Sequence, residues 1–178
     1  MKSLMLILLI CSAGMYVSAQ EQQQKVVHFK KLQSFLPTKA IEGYTRSKPT
    51  GSTQKNMGFS SSEAEVRYEK VTDSITYSIE VKIVDMSLIP YGAWAMAYQQ
   101  MDFENETEDG YEKTVTVAKN YKGIEKASTG EYKSCSLNFA VGNKFHVTME
   151  ANGLDDVKML YSLVEAMDLE KLAKLTAE

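Results

Sequence analysis

The stretch Ser74–Asp85 constrains this chain more than any other. Ile75, Tyr77, Ile79, Val81 and Ile83 alternate strictly with Thr76, Ser78, Glu80 and Lys82. A period of two turns one row of side chains toward oil and the other toward water, as in an antiparallel sheet with one wet face. Ala64, Val66 and Tyr68 alternate in the same way with Glu63, Glu65, Arg67 and Glu69, and "KVTDS" joins the two runs as a hairpin turn. Further strands are expected over Tyr111–Ala118, Lys122–Ala127, Tyr132–Val141 and Lys144–Ala151. Cys135, Leu137, Phe139 and Val141 share one side of the third of these, and Phe145, Val147, Met149 and Ala151 one side of the fourth. "VGNK" between them reads as a Gly-Asn turn.

Helical spacing appears in three places. "EQQQKVVHFKKLQSFLP" carries Val26, Val27, Phe29, Leu32, Phe35 and Leu36 at three- and four-residue intervals and stops at Pro37. "IPYGAWAMAYQQMDF" predicts a helix over 90–101 with Pro90 in its first turn and Tyr91, Trp94, Ala95, Tyr98 and Met101 on one face. "GLDDVKMLYSLVEAMDLEKLAKL" places Leu154, Val157, Leu160, Tyr161 and Val164 on a stripe, with Asp155 and Asp156 suited to the positive end of the helix dipole. A brief strand is expected near Gly43–Ser47, and the Ser-, Thr- and Gly-rich stretch after it reads as a flexible loop. The expected order is α-β-β-β-α-β-β-β-β-α: an α+β fold, an antiparallel sheet with helices packed on one face.

That order, with a helix between two groups of strands and a closing helix, resembles the PsbP-like fold. "LPTKAIEGYTRSKPTGSTQKNMGFSSSEAEVRYEK", "IEVKIVD" and "AMDLEKLAKL" also resemble a group of small exported bacterial proteins. These are motifs of turns and alternation that carry no catalytic residues. The resemblance implies a binding or accessory module rather than an enzyme.

The first residues, "MKSLMLILLICSAGMYVSAQ", follow the order of a secretory signal: Lys2, an apolar run from Leu4 to Ile10, then small residues ending at Ala19. The apolar run is short of the about 20 residues that a spanning helix needs. Residues 1–19 are therefore expected to be a signal peptide and 20–178 a single exported domain, periplasmic or extracellular, with no transmembrane segment after cleavage. Leu9 and Ile10 stand where a lipoprotein peptidase wants small residues, so Cys11 is expected to leave with the leader rather than carry a lipid. Cys135 is then the one remaining cysteine, expected as a buried thiol. The 20 Lys and Arg against 23 Asp and Glu give a formal charge of −3 with the basic residues scattered, which argues against a nucleic-acid partner.

Little in the chain points to chemistry. His28 falls on the first expected helix and His146 on the solvent side of its strand, so both are expected on the surface. No set of His, Cys and carboxylates has the spacing of a common metal centre, and no G-x-S-x-G marks a nucleophile. Five carboxylates in eight residues, Asp102, Glu104, Glu106, Glu108 and Asp109, are the candidate metal ligands, because a hard cation gathers such oxygens. Their spacing departs from the twelve-residue calcium loop, and charges this dense favour a solvated loop. Tyr91, Trp94 and Tyr98 are the candidate contacts for a ligand or partner, since each joins an apolar body to a polar tip. The function expected is an exported, non-catalytic domain, without a cofactor, that recognises a protein or envelope component. The alternative is a carrier holding a small apolar ligand in a cleft between helix 90–101 and the sheet, and the third reading is an enzyme.

Overall fold

The structure is a computed structural model and describes residues 25–56, 59–73, 75–87 and 93–176. The elements run α1 (Phe29–Gln33), β1 (Thr45–Arg46), β2 (Thr50–Asn56), β3 (Phe59–Thr72), β4 (Ile75–Asp85), α2 (Ala93–Gln100), β5 (Glu104–Thr107), β6 (Gly110–Val117), β7 (Tyr121–Ser128), β8 (Ser134–Val141), β9 (Phe145–Asn152), α3 (Lys158–Val164) and α4 (Leu169–Ala173). The strands form one 9-stranded sheet in the order β1-β3-β4-β9-β8-β7-β6-β5, with β2 also paired to β3. Every pairing is antiparallel. The sequence reading of an antiparallel α+β fold is what the structure has. Among the described residues no helix is long and apolar enough to cross a membrane.

Register turns each strand's alternation into continuous rows. Val66, Val81, Met149, Leu137, Glu125 and Lys113 stand opposite one another across six strands. One residue along, Arg67, Glu80, Glu150, Ser136, Lys126 and Glu112 form the neighbouring row, which faces the other way. The first face is the core. Val27, Leu32 and Leu36 from around α1 and Leu160, Leu163, Leu169 and Leu172 from α3 and α4 pack there with Ile79, Ile83, Phe139, Phe145 and Val147. The second face is polar and carries the ion pairs Arg67–Glu80 at 2.7 Å and Lys82–Glu65 at 3.3 Å.

Several expectations are corrected. The segment read as a flexible loop folds into β2 and the start of β3. It has almost no apolar residue to set a period, and hydroxyl pairing holds it instead: Thr53 Oγ1 and Ser62 Oγ lie 2.8 Å apart. The first helix is only five residues long, because Val27 lies before it and sends its N–H to Asp85 Oδ2 at 2.7 Å. His28 stands at the N-cap and accepts from the Lys30 N–H. The closing helix divides in two at Asp168, whose Oδ1 caps α4 by accepting from the Lys171 N–H. Asp155 and Asp156 precede α3 rather than lie in its first turn; Asp156 Oδ1 accepts from the Lys158 N–H at 3.0 Å.

The helices do not all share one face. α1, α3 and α4 cover the core side, whereas α2 packs against β7 and β8 and touches His146 of β9 on the polar side. The cause is local. At that end the polar face bears Ile124, Ala140 and Val84, and Ala140 is only 2% exposed beneath the helix. α2 contributes Ala95 as its buried residue.

Candidate binding site

α2 brings two of the three aromatic candidates onto the sheet; the third, Tyr91, lies outside the described residues. Trp94 and Tyr98 are four apart on one face of the helix, and both rings close on His146. The Trp94 and His146 centroids are 5.7 Å apart at 66°, and those of Tyr98 and His146 5.6 Å apart at 50°. Trp94 and Tyr98 meet edge to face at 6.3 Å, an arrangement that sets ring edges against π-faces. The Tyr98 hydroxyl lies 2.8 Å from His146 Nε2. The hydroxyl donates when the ring carries its proton on Nδ1 and accepts when Nε2 is protonated. The indole Nε1–H of Trp94 is buried with no hydrogen-bond partner, a costly state for a polar group. Outside this cluster Met96 and Phe103 are exposed.

His146 is thus not the surface residue that its strand position predicts. The parity is right, since it points away from the core, but α2 adds a second layer over that side. Burial lowers the His146 pKa below its ordinary 6.5 and raises that of Tyr98. Its cross-strand neighbours, Val84 and Ala140, are uncharged. The folded protein therefore binds this proton less readily than the unfolded chain. The stability that depends on the neutral ring is complete above pH 6.5 and is lost as pH falls from there through the lowered folded value. Trp94 is the single tryptophan, and an imidazolium in contact quenches indole emission. Emission is expected to fall on acidification with a midpoint below 6.5, and to lose that step in His146→Gln. A midpoint at or above 6.5 would contradict the buried position.

The acidic candidates are drawn out rather than gathered. Glu104 and Glu106 lie on β5, an exposed edge strand paired with β6, and not in the solvated loop expected. Extension spaces successive same-side carboxylates roughly 7 Å apart. Among the described residues no three His, Cys, Asp or Glu side chains converge as a metal would require.

On the inner side of α2 Ala95 is buried, and so is the Trp94 indole N–H. A cavity of about 500 Å³ lies between the β6–β7 turn and the α3–α4 corner, beside Tyr121, Met167 and Leu169.

One buried group escaped the sequence reading. Glu125 is 5% exposed on the core face and accepts from two phenols, Tyr111 and Tyr161, at 2.6 Å each. Lys113 Nζ lies 3.6 Å away. Burial first, and then the Glu125 carboxylate, push both phenol pKa values well above the ordinary 10.0. With its oxygens engaged this carboxylate fastens α3 to β6 and β7. Cys135 is buried as expected, and burial pushes its thiol up to about 11, far from the reactive thiolate range.

Comparison with protein-family models, with curated proteins and with solved structures finds no match for this chain.

Proposed function

We propose that the protein is an exported, non-catalytic α+β domain of PsbP-like type that recognises a protein or envelope component through the α2 end of its polar face. Export rests on the signal-like order of residues 1–19, and the PsbP-like assignment on the sequence of elements around α2. One observation carries the binding role: a half-exposed Trp–Tyr–His cluster standing on the sheet face that carries the ion pairs. Half-exposed Trp and Tyr rings supply much of the energy in protein recognition.

The test is affinity capture from envelope extract by the protein and by Trp94→Ala, followed by titration of the purified captured component against Trp94 emission. Trp94→Ala is expected to weaken binding at least about tenfold, the range of an interface hot spot, with circular dichroism unchanged. Equal binding by both proteins would discard this site. An emission response to small apolar molecules, with no macromolecule retained, would transfer the reading to a ligand carrier.

A further inference from the structure

The two edges of the sheet are finished differently. At one end β5 is four residues long and carries Glu104 and Glu106, the short and charged edge by which sheets refuse further strands. At the other, β2 runs seven residues, "TGSTQKN", with Lys55 as its one charged residue and no proline. No other described strand pairs with its outer side. α1 approaches β2 from the core side, where the Phe29 N–H donates to Thr53 Oγ1 at 2.8 Å. The opposite side of β2, with Thr50, Ser52, Gln54 and Asn56, lies on the polar face beside Glu63 and Glu65.

We propose that β2 is an interface for a second copy of this chain, with two β2 strands pairing antiparallel so that the sheets become continuous. The sequence fits its own reverse. Centred on Thr53, the pairing sets Thr50 against Asn56, Ser52 against Gln54 and Thr53 against itself. Lys55 falls opposite Gly51 and not opposite Lys55 of the other copy, so the symmetric arrangement avoids a like-charge pair. Hydroxyl and amide side chains at the remaining positions pair across strands without regard to sign. With the two-fold axis normal to the sheet, both α1 helices fall on the same side. The interface consists of main-chain hydrogen bonds along one edge and is small, which places it among weak, concentration-dependent associations. This inference does not depend on the binding role of α2.

Sedimentation velocity across a concentration series tests it. The wild type is expected to shift from monomer to dimer as concentration rises. Ser52→Lys with Gln54→Lys sets lysine against lysine twice across the axis and should raise the dissociation constant about fivefold. Ser52→Lys with Gln54→Glu sets opposite charges there, keeps position 52 opposite in sign to its own Glu63, and should lower it by a similar factor. Both substitutions lie on the polar face of the strand, where Ser52 is half-buried and Gln54 exposed, and the Lys/Glu variant guards against reading a folding defect as lost association. A wild type that stays monomeric up to about 1 mM, or two variants that shift in the same direction, would overturn the proposal.

Discussion

Glu125→Ala is expected to lower the unfolding free energy by about 2–4 kcal/mol, because it leaves two half-buried phenols without their acceptor and opens a void in the core. Against a typical domain stability of about 5–15 kcal/mol this is a large share. Glu125 stands in the row with Val66, Val81, Met149 and Leu137, where an apolar residue is the ordinary occupant. Its charge is tolerated because Tyr111 and Tyr161 both donate to it and Lys113 stands close by. Tyr161→Phe removes one donor and should cost about 1–2 kcal/mol. The informative comparison is Glu125→Leu combined with Tyr111→Phe and Tyr161→Phe. Removing the carboxylate and both phenols at once should recover most of the loss, since the Lys113 side chain is 37% exposed and can turn to water, and an apolar core of similar volume replaces a buried charge at little cost. Urea denaturation decides it. A loss under about 1 kcal/mol for Glu125→Ala would show that the cluster holds nothing together.

Asp85→Ala is expected to cost about 2–3 kcal/mol by a different route. Asp85 is 3% exposed at the end of β4 and gathers the N–H of Val27 at 2.7 Å, the N–H of Ser87 at 2.9 Å and the Ser87 hydroxyl. It ties the segment ahead of α1 to the centre of the sheet, 58 residues away in sequence. Without the carboxylate the buried Val27 amide has lost its acceptor, and the segment separates from the edge of the core. Hydrogen exchange at Val27 should accelerate along with the drop in stability, while Asp85→Asn, which keeps one acceptor oxygen, should lose less. Unchanged protection of the Val27 amide would refute this tether.

What could be read from the sequence depended on whether a residue's neighbours in the chain determine its surroundings. In β4 they do: Ile79, Val81 and Ile83 announce a buried row, and the structure buries all three. Cys135, Leu137 and Phe139 on β8 behave alike. On β7 the signal inverts, since Ile124 faces the polar side and Glu125 the core; only the distant Tyr111 and Tyr161 explain why. β2 has no apolar residue, so periodicity is silent there, and the serines and threonines that made it look like a loop are its cross-strand partners. The α2 stripe of Trp94, Ala95 and Tyr98 is plain in the sequence, but a stripe tells only that a helix must cover something. Which face it covers was settled by Ile124 on β7 and Ala140 on β8. Those are single apolar residues in runs whose alternation assigns them to water. The site followed from that choice, because His146 becomes half-buried only beneath α2.

The site stands or falls with the placement of α2 on the side of the sheet opposite α3 and α4, and nuclear Overhauser contacts from the Trp94 indole read that placement. Cross-peaks are expected from the indole to the ring protons of His146 and Tyr98, and none to Leu137, Phe139 or Val147 on the core face. Cross-peaks from Trp94 to those core residues, with His146 silent, would place α2 on the same side as α3 and α4 and contradict it.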